Sequence, residues 1–197
     1  MGDAVPEGFL YSREENGASV YASRDAVPMG FLQTTYTGTH HQRMDKETVG
    51  TVMLAAVTLD DAQIEALGDR LGGMQRLDVY AIPDWQESAA RLRANSCDAF
   101  AVTTSGFTAH IDAKEAGLLV FTIPYDRGFS ATVDGQAEEI ILCDVAFMGV
   151  FVTPGEHEIV FTYRTRGIAL GIAMSIAAAV LLGAYVLLVR KKKLKTI

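Results

Sequence analysis

The chain is poor in the residue patterns that usually announce chemistry. Its 197 residues include two cysteines, Cys97 and Cys143, too few for a disulfide-stapled scaffold. Two readings stand for them: small buried hydrophobes, or a pair joined outside the cell. There is no HExxH, no CxxC and no EF-hand loop. His40 and His41 are adjacent, so in regular structure they point different ways and make a poor metal pair. No metal and no cofactor is expected. Neither a P-loop nor a G-x-G-x-x-G run occurs, and there is no G-x-S-x-G elbow. Ser105, His110 and Asp112 lie close in sequence, yet on one strand Ser105 and His110 face opposite sides, so no hydrolase triad is expected. No catalytic residue is assigned.

Basic charge is also scarce, except in one place. The net charge is −7, and the last eight residues hold five cations, which leaves −12 on residues 1–189. An acidic body excludes nucleic acid as a partner, since that needs a basic face on the folded part. The basic run, Arg190, Lys191, Lys192 and Lys193, fits membrane anchoring against anionic headgroups.

What is present in abundance is a long apolar run. Residues 168–189 read IALGIAMSIAAAVLLGAYVLLV, 22 residues without charge or proline. At 1.5 Å per residue they span about 33 Å, the thickness of a bilayer's hydrocarbon core. A buried core helix rarely runs so long without a polar face. The run reads as a transmembrane helix, with the lipid bilayer as its partner. Gly167, Gly171, Ser175 and Ala179 recur every four residues, a spacing that permits close packing against another membrane helix. Arg164 and Arg166 flank one end and the four-cation run the other. The positive-inside rule therefore predicts a cytoplasmic tail and residues 1–166 outside. The first 17 residues lack the basic start and apolar run of a signal peptide. The expectation is a C-terminal piece of a longer multi-pass protein whose upstream transmembrane helices carry out the export. A tail-anchored cytoplasmic domain would also explain the missing signal, but it violates the charge rule.

The predicted fold class is an α+β outer domain, mainly an antiparallel β-sandwich with a few helices, followed by one C-terminal transmembrane helix. Residues 1–96 form a mixed α/β segment, 97–166 the sandwich portion of the same region, 167–189 the membrane helix and 190–197 a basic tail. In the first segment, extended runs are expected at 19–22 and 29–36. Helices are expected at 46–57 behind an Asp45 cap, at 62–71 behind Asp60 or Asp61 and ended by Gly72-Gly73, and at 85–94 behind Asp84. Residues 81–83 read as a short connector. From Cys97 the pattern turns to period two, with strands at 100–104, 106–113, 118–124, 129–133, 140–142, 149–153 and 157–164. Asp134-Gly135 and Pro154-Gly155 supply the turns.

Several short motifs occur in order: VYASRDAVPMGF at 20–31, FTIPYDRGFSATV at 121–133 followed by Asp134-Gly135, Phe147-Met148-Gly149, and Pro154-Gly155-Glu156-His157. With the terminal helix and basic tail, this order resembles the C-terminal region of the YfhO-like bacterial membrane proteins. Two departures are visible: Phe129 stands where an indole is common, and Ser23 where Asn is common. The resemblance implies a large multi-pass glycosyltransferase that uses lipid-phosphate-linked sugars to decorate envelope polymers of the lipoteichoic acid type. Its catalytic carboxylates would lie near the first membrane helices, outside this stretch. This chain would then hold the accessory outer domain and last helix, without the catalytic centre.

Candidate sugar contacts are Tyr125 and Phe129, which could offer ring faces, and Asp126, which could accept hydroxyl hydrogen bonds. The competing reading of the same segment is a strand-end turn shaped by Asp126 and Gly128, with Tyr125 packed. Phe147-Met148 reads as core, and Trp85 as a packing residue at a helix start. The partner expected is a glycan or envelope polymer. The rival function is a non-enzymatic, single-pass membrane protein with an outer carbohydrate-binding or scaffolding module.

Overall fold

The computed structural model describes residues 5, 8–38, 46–78 and 83–194, with side chains at 48–78 and 83–187 in the last two stretches. The Asp45 cap, the His40-His41 pair and residues 81–82 of the connector lie outside the described residues. The chain divides into two compact units, residues 1–162 and 163–197.

The first unit begins with a hairpin, β1 (Phe9–Glu15) and β2 (Ala18–Ser23), paired only with itself. β3 (Phe31–Gln33) and β4 (Thr35–Gly38) follow, then α1 (Lys46–Ala55), β5 (Val57–Leu59), α2 (Asp61–Leu67), a 3-10 segment (Gly68–Gly73), β6 (Gln75–Arg76) and α3 (Trp85–Ala94). The remaining strands are β7 (Ala99–Thr103), β8 (Gly106–Ala113), β9 (Gly117–Pro124), β10 (Phe129–Val133), β11 (Gln136–Glu138), β12 (Ile141–Cys143), β13 (Phe147–Val152) and β14 (Gly155–Tyr163).

Two antiparallel sheets make the sandwich, in the orders β11-β10-β14-β8-β7 and β12-β13-β9-β3. Their facing side chains form one core, which includes Phe107, Ile111, Phe121, Met148, Ile159 and Phe161. Phe107 and Phe161 stack with centroids 4.5 Å apart. A third layer covers the outer face of the four-stranded sheet. It is built from β4, flanked in parallel by β5 and β6, together with the helices. Here Phe31, Leu118 and Val120 meet Val57, Leu59, Leu71 and Leu92 in a second core. β9 is thus buried on both faces, with Gly117 to Phe121 all buried. β8 shows the alternation of a strand with one wet face.

The expected helix 46–57 stops two residues short. Gln33 Nε2 donates to the carbonyls of Met53 and Leu54, and Thr35 Oγ1 donates to that of Ala55 at 2.6 Å. Arg91 also donates to the Ala55 carbonyl. These bonds satisfy the carbonyls a helix end leaves bare, and the β-branched Val57-Thr58 pair enters a strand beside β4. The second helix ends at Leu67, where Gly68 at φ 37° begins the 3-10 turns. Asp60 is its cap, in a reciprocal capping box with Gln63. α3 runs over the expected residues, with Asp84 accepting from the Gln86 N–H at 2.8 Å.

The second unit is α4 (Ile168–Leu194), of which Ile168–Leu187 is long and apolar enough to cross a membrane. Its side chains are exposed throughout that stretch. Ser175 turns its hydroxyl to the Gly171 carbonyl at 2.8 Å, so it leaves no unsatisfied donor. The backbone stays helical through positions 190–193; the side chains of Arg190, Lys191, Lys192 and Lys193 lie outside the described residues.

Candidate functional site

Several residues of the short motifs serve the fold directly. Asp134 and Gly135, at φ 52° and 77°, form the β10–β11 turn, as a tight hairpin requires. The Asp134 carboxylate then reaches β14, where Oδ1 accepts from the Glu158 N–H at 2.9 Å and Oδ2 pairs with His157 Nδ1 at 2.7 Å. The Glu158 amide first and His157 second hold this carboxyl below its ordinary range. His157 Nε2 faces the Thr153 carbonyl at 2.9 Å. One ring therefore ties two turns together. Gly149 and Gly30 are packing glycines. A Cβ on Gly149 would sit 2.8 Å from Leu118 Cγ, and one on Gly30 would sit 2.6 Å from Cys97 Sγ.

The three candidate sugar contacts part company at the end of β9. Phe129 turns toward the sandwich core, edge-on to Phe107 and Phe161 with centroids 6.3 Å away. Asp126 Oδ1 accepts from the Gly128 N–H at 2.7 Å, shaping its own turn. Tyr125, 36% exposed, lines a hollow of about 210 Å³ with Gln63, Leu67, Glu139 and Leu142. Gln63 holds that hollow in shape, because its Nε2 donates to the Leu142 carbonyl at 2.7 Å while its Oε1 accepts from the Asp60 N–H.

A second hollow of about 280 Å³ is lined by Arg70, Met74, Gly117, Glu138, Phe151 and Thr153. Arg70, on the 3-10 turns, lies over the Phe151 ring with 4.4 Å from guanidinium carbon to centroid. It forks to Glu138 and, at 3.4 Å, to Glu139. Those two glutamates sit where the chain leaves the five-stranded sheet at β11 and joins the four-stranded sheet at β12. Sequence reasoning passed over this cluster. Arg70 and its partners are 68 and 69 residues apart, and no periodicity links them.

The other polar side chains considered do not converge. Ser105 lies in the β7–β8 turn, His110 Nδ1 pairs with Asp98 at 2.7 Å, and Asp112 pairs with Lys114. Cys97 and Cys143 are free thiols that pack against different cores. Burial pushes Cys97 up to about 12. Among the described residues no group of His, Cys, Asp and Glu is placed to hold a metal ion.

A three-layered β-sandwich unit followed by an apolar helix of membrane-crossing length defines a membrane protein with a folded polar domain. A family model described as bacterial membrane protein YfhO matches residues 74–175, just over half of the chain. The chain belongs to the YfhO family. No curated protein matches it, and no solved structure does. The matched stretch runs from the end of the 3-10 turns into the first turns of α4; it includes Tyr125, Glu138 and Glu139 but not Gln63 or Arg70.

Proposed function

We propose that residues 1–166 form an extracytoplasmic, glycan-contacting module of a YfhO-type membrane protein. The module helps to position an envelope polymer of the lipoteichoic acid type for glycosylation. The catalytic centre belongs to upstream membrane helices of a lipid-linked-sugar-dependent glycosyltransferase, and the last helix, α4, packs against them through its small-residue face. The basic run from Arg190 to Lys193 stays on the cytoplasmic side. Family membership and the order of the motifs support the enzyme context. The observation that carries the module's role is the hollow beside Tyr125, where an exposed ring, a carboxylate and a helix-anchored amide converge. Asp126 and Phe129 frame the loop that sets the Tyr125 ring. Carbohydrate recognition uses such sets: a ring face for the C–H side of a sugar and fixed polar groups for its hydroxyls.

The test is polymer glycosylation by the complete protein in cells, read by mass spectrometry of the extracted polymer. Tyr125→Ala should lower the sugar content several-fold at unchanged protein level. Unchanged sugar content would remove Tyr125 from the reading. The rival, a single-pass carbohydrate-binding or scaffolding protein, predicts binding by this chain alone and no change in polymer sugar on its deletion.

A further inference from the structure

We propose that the free edge of β7 takes an extended segment of another polypeptide as a further strand, one whose side chains alternate between apolar and arginine. The five-stranded sheet ends at β7, and among the described residues no strand pairs with its outer side. Edge strands are ordinarily kept short, charged or interrupted by proline, because their unpaired N–H and C=O groups invite another strand. The edge strands β3, β11 and β12 are each three residues long. β7 has five residues, with neither charge nor proline. Thr103 and Gly106 close a two-residue turn to β8, so they form a hydrogen-bonded pair. Such pairs alternate along an antiparallel ladder, which leaves the N–H and C=O of Phe100 and Val102 pointing away from β8.

The two faces beside this edge set the partner's chemistry. Val102 pairs with Phe107 and shares its core face, yet it is 79% exposed. Apolar side chains of an added strand would extend the core over it. On the opposite face the small Ala99 and Ala101 leave a hollow of about 330 Å³, bounded by Thr108, His110 and Glu158. The Asp98 carboxylate meets His110 Nδ1 at 2.7 Å, and Glu158 stands across the strand from that ring. Two carboxylates to one imidazole keep this face acidic whether or not the ring is charged. An arginine beside Ala99 or Ala101 fits both the space and the sign: its stem covers the two methyls and its guanidinium donates to the carboxylates. β7 itself carries no cation, so a second copy would leave the acidic face uncovered. An added strand of this kind draws affinity from the main chain and specificity from alternate side chains. The site shares no residue with the Tyr125 hollow.

The experiment uses the full chain in lipid nanodiscs and the fluorescence anisotropy of labelled peptides: TVRVRVT, the acidic TVEVEVT and the proline-broken TVRPRVT. TVRVRVT should bind on the order of tenfold more tightly than either of the others. Hydrogen exchange of the stretch holding Phe100 and Val102 should slow in its presence. Ala101→Arg, which fills the hollow with the protein's own cation, and Glu158→Gln should each weaken TVRVRVT several-fold at an unchanged melting temperature. Val102→Pro, which removes one outward N–H, should abolish binding; the exchange measurement on the parent chain reads the same contact if that variant unfolds. Equal binding of TVRVRVT and TVRPRVT would show attraction by charge alone and overturn the added strand. Equal or tighter binding of TVEVEVT would overturn the alternation with arginine. Binding of no peptide, or self-association of the chain that Val102→Pro removes, would overturn the proposal.

Discussion

Asp144 is a carboxylate buried inside the fold. It sits at φ 48° in the β12–β13 turn, and its Oδ1 accepts from the Thr58 N–H at 2.8 Å and from the Thr58 hydroxyl at 3.0 Å. Burial outweighs those bonds and raises its carboxyl from 3.8 to about 7. Between those values the unfolded chain has lost the proton and the folded one keeps it, so stability falls as pH rises. The decline should amount to about 4 kcal/mol and level off above pH 7. Melting temperatures from pH 4 to 8 should show it, and Asp144→Asn, which keeps an acceptor toward Thr58, should flatten the curve. Asp134 acts in the opposite sense and in another window. Its carboxyl is held below 3.8, so its contribution is complete above about pH 4 and is lost as pH falls through the folded value. Urea midpoints of Asp134→Asn and the parent should therefore differ at pH 7 and draw together as the pH falls below 3.8.

At the scale of elements, the strand and helix pattern was readable wherever a single period governs burial. The strands at 106–113 and 129–133 and the helix at 85–94 occupy the expected residues. β5 and β6 escaped notice because they are three and two residues long and are held by pairing with β4 rather than by pattern. The same limit hid the Arg70 cluster, since Arg70 meets Glu138 and Glu139 only after the helical layer has packed on the sandwich. For Tyr125 the sequence left a packed ring and an offered ring face both open, and the structure leaves the ring 36% exposed. Phe129 was not legible as a core residue, because an aromatic after a glycine turn fits either face. Motif glycines give the sharpest element-level test. Gly30 sits at φ 78°, with Cys97 Sγ and Phe121 Cε1 2.6 and 2.7 Å from where a Cβ would stand. Gly30→Ala should therefore cost about 2–4 kcal/mol, combining backbone strain with overpacking. Gly135→Ala meets nothing within 4 Å and keeps only the positive-φ strain, with φ at 77°, so it should cost about 1 kcal/mol. Chemical denaturation of both variants checks the difference.

For the molecule as a whole, the proposed orientation is testable through its surface. The two thiols are poor reporters because Cys143 is buried and Cys97 is partly buried with its thiol held protonated. Lys114, with its side chain 70% exposed, is a good one. An amine reagent that cannot cross lipid, applied to intact cells, should modify Lys114 and spare Lys191–Lys193; the reverse pattern, read by mass spectrometry of peptides, would invert the topology. The two-sided burial of β9 bears on how this domain can fail. One wall serves two interiors, so nothing that loosens the helical layer leaves the sandwich a sealed remainder: opening either side wets the same strand. The domain should be lost in one step, with no half-folded survivor to linger at the membrane.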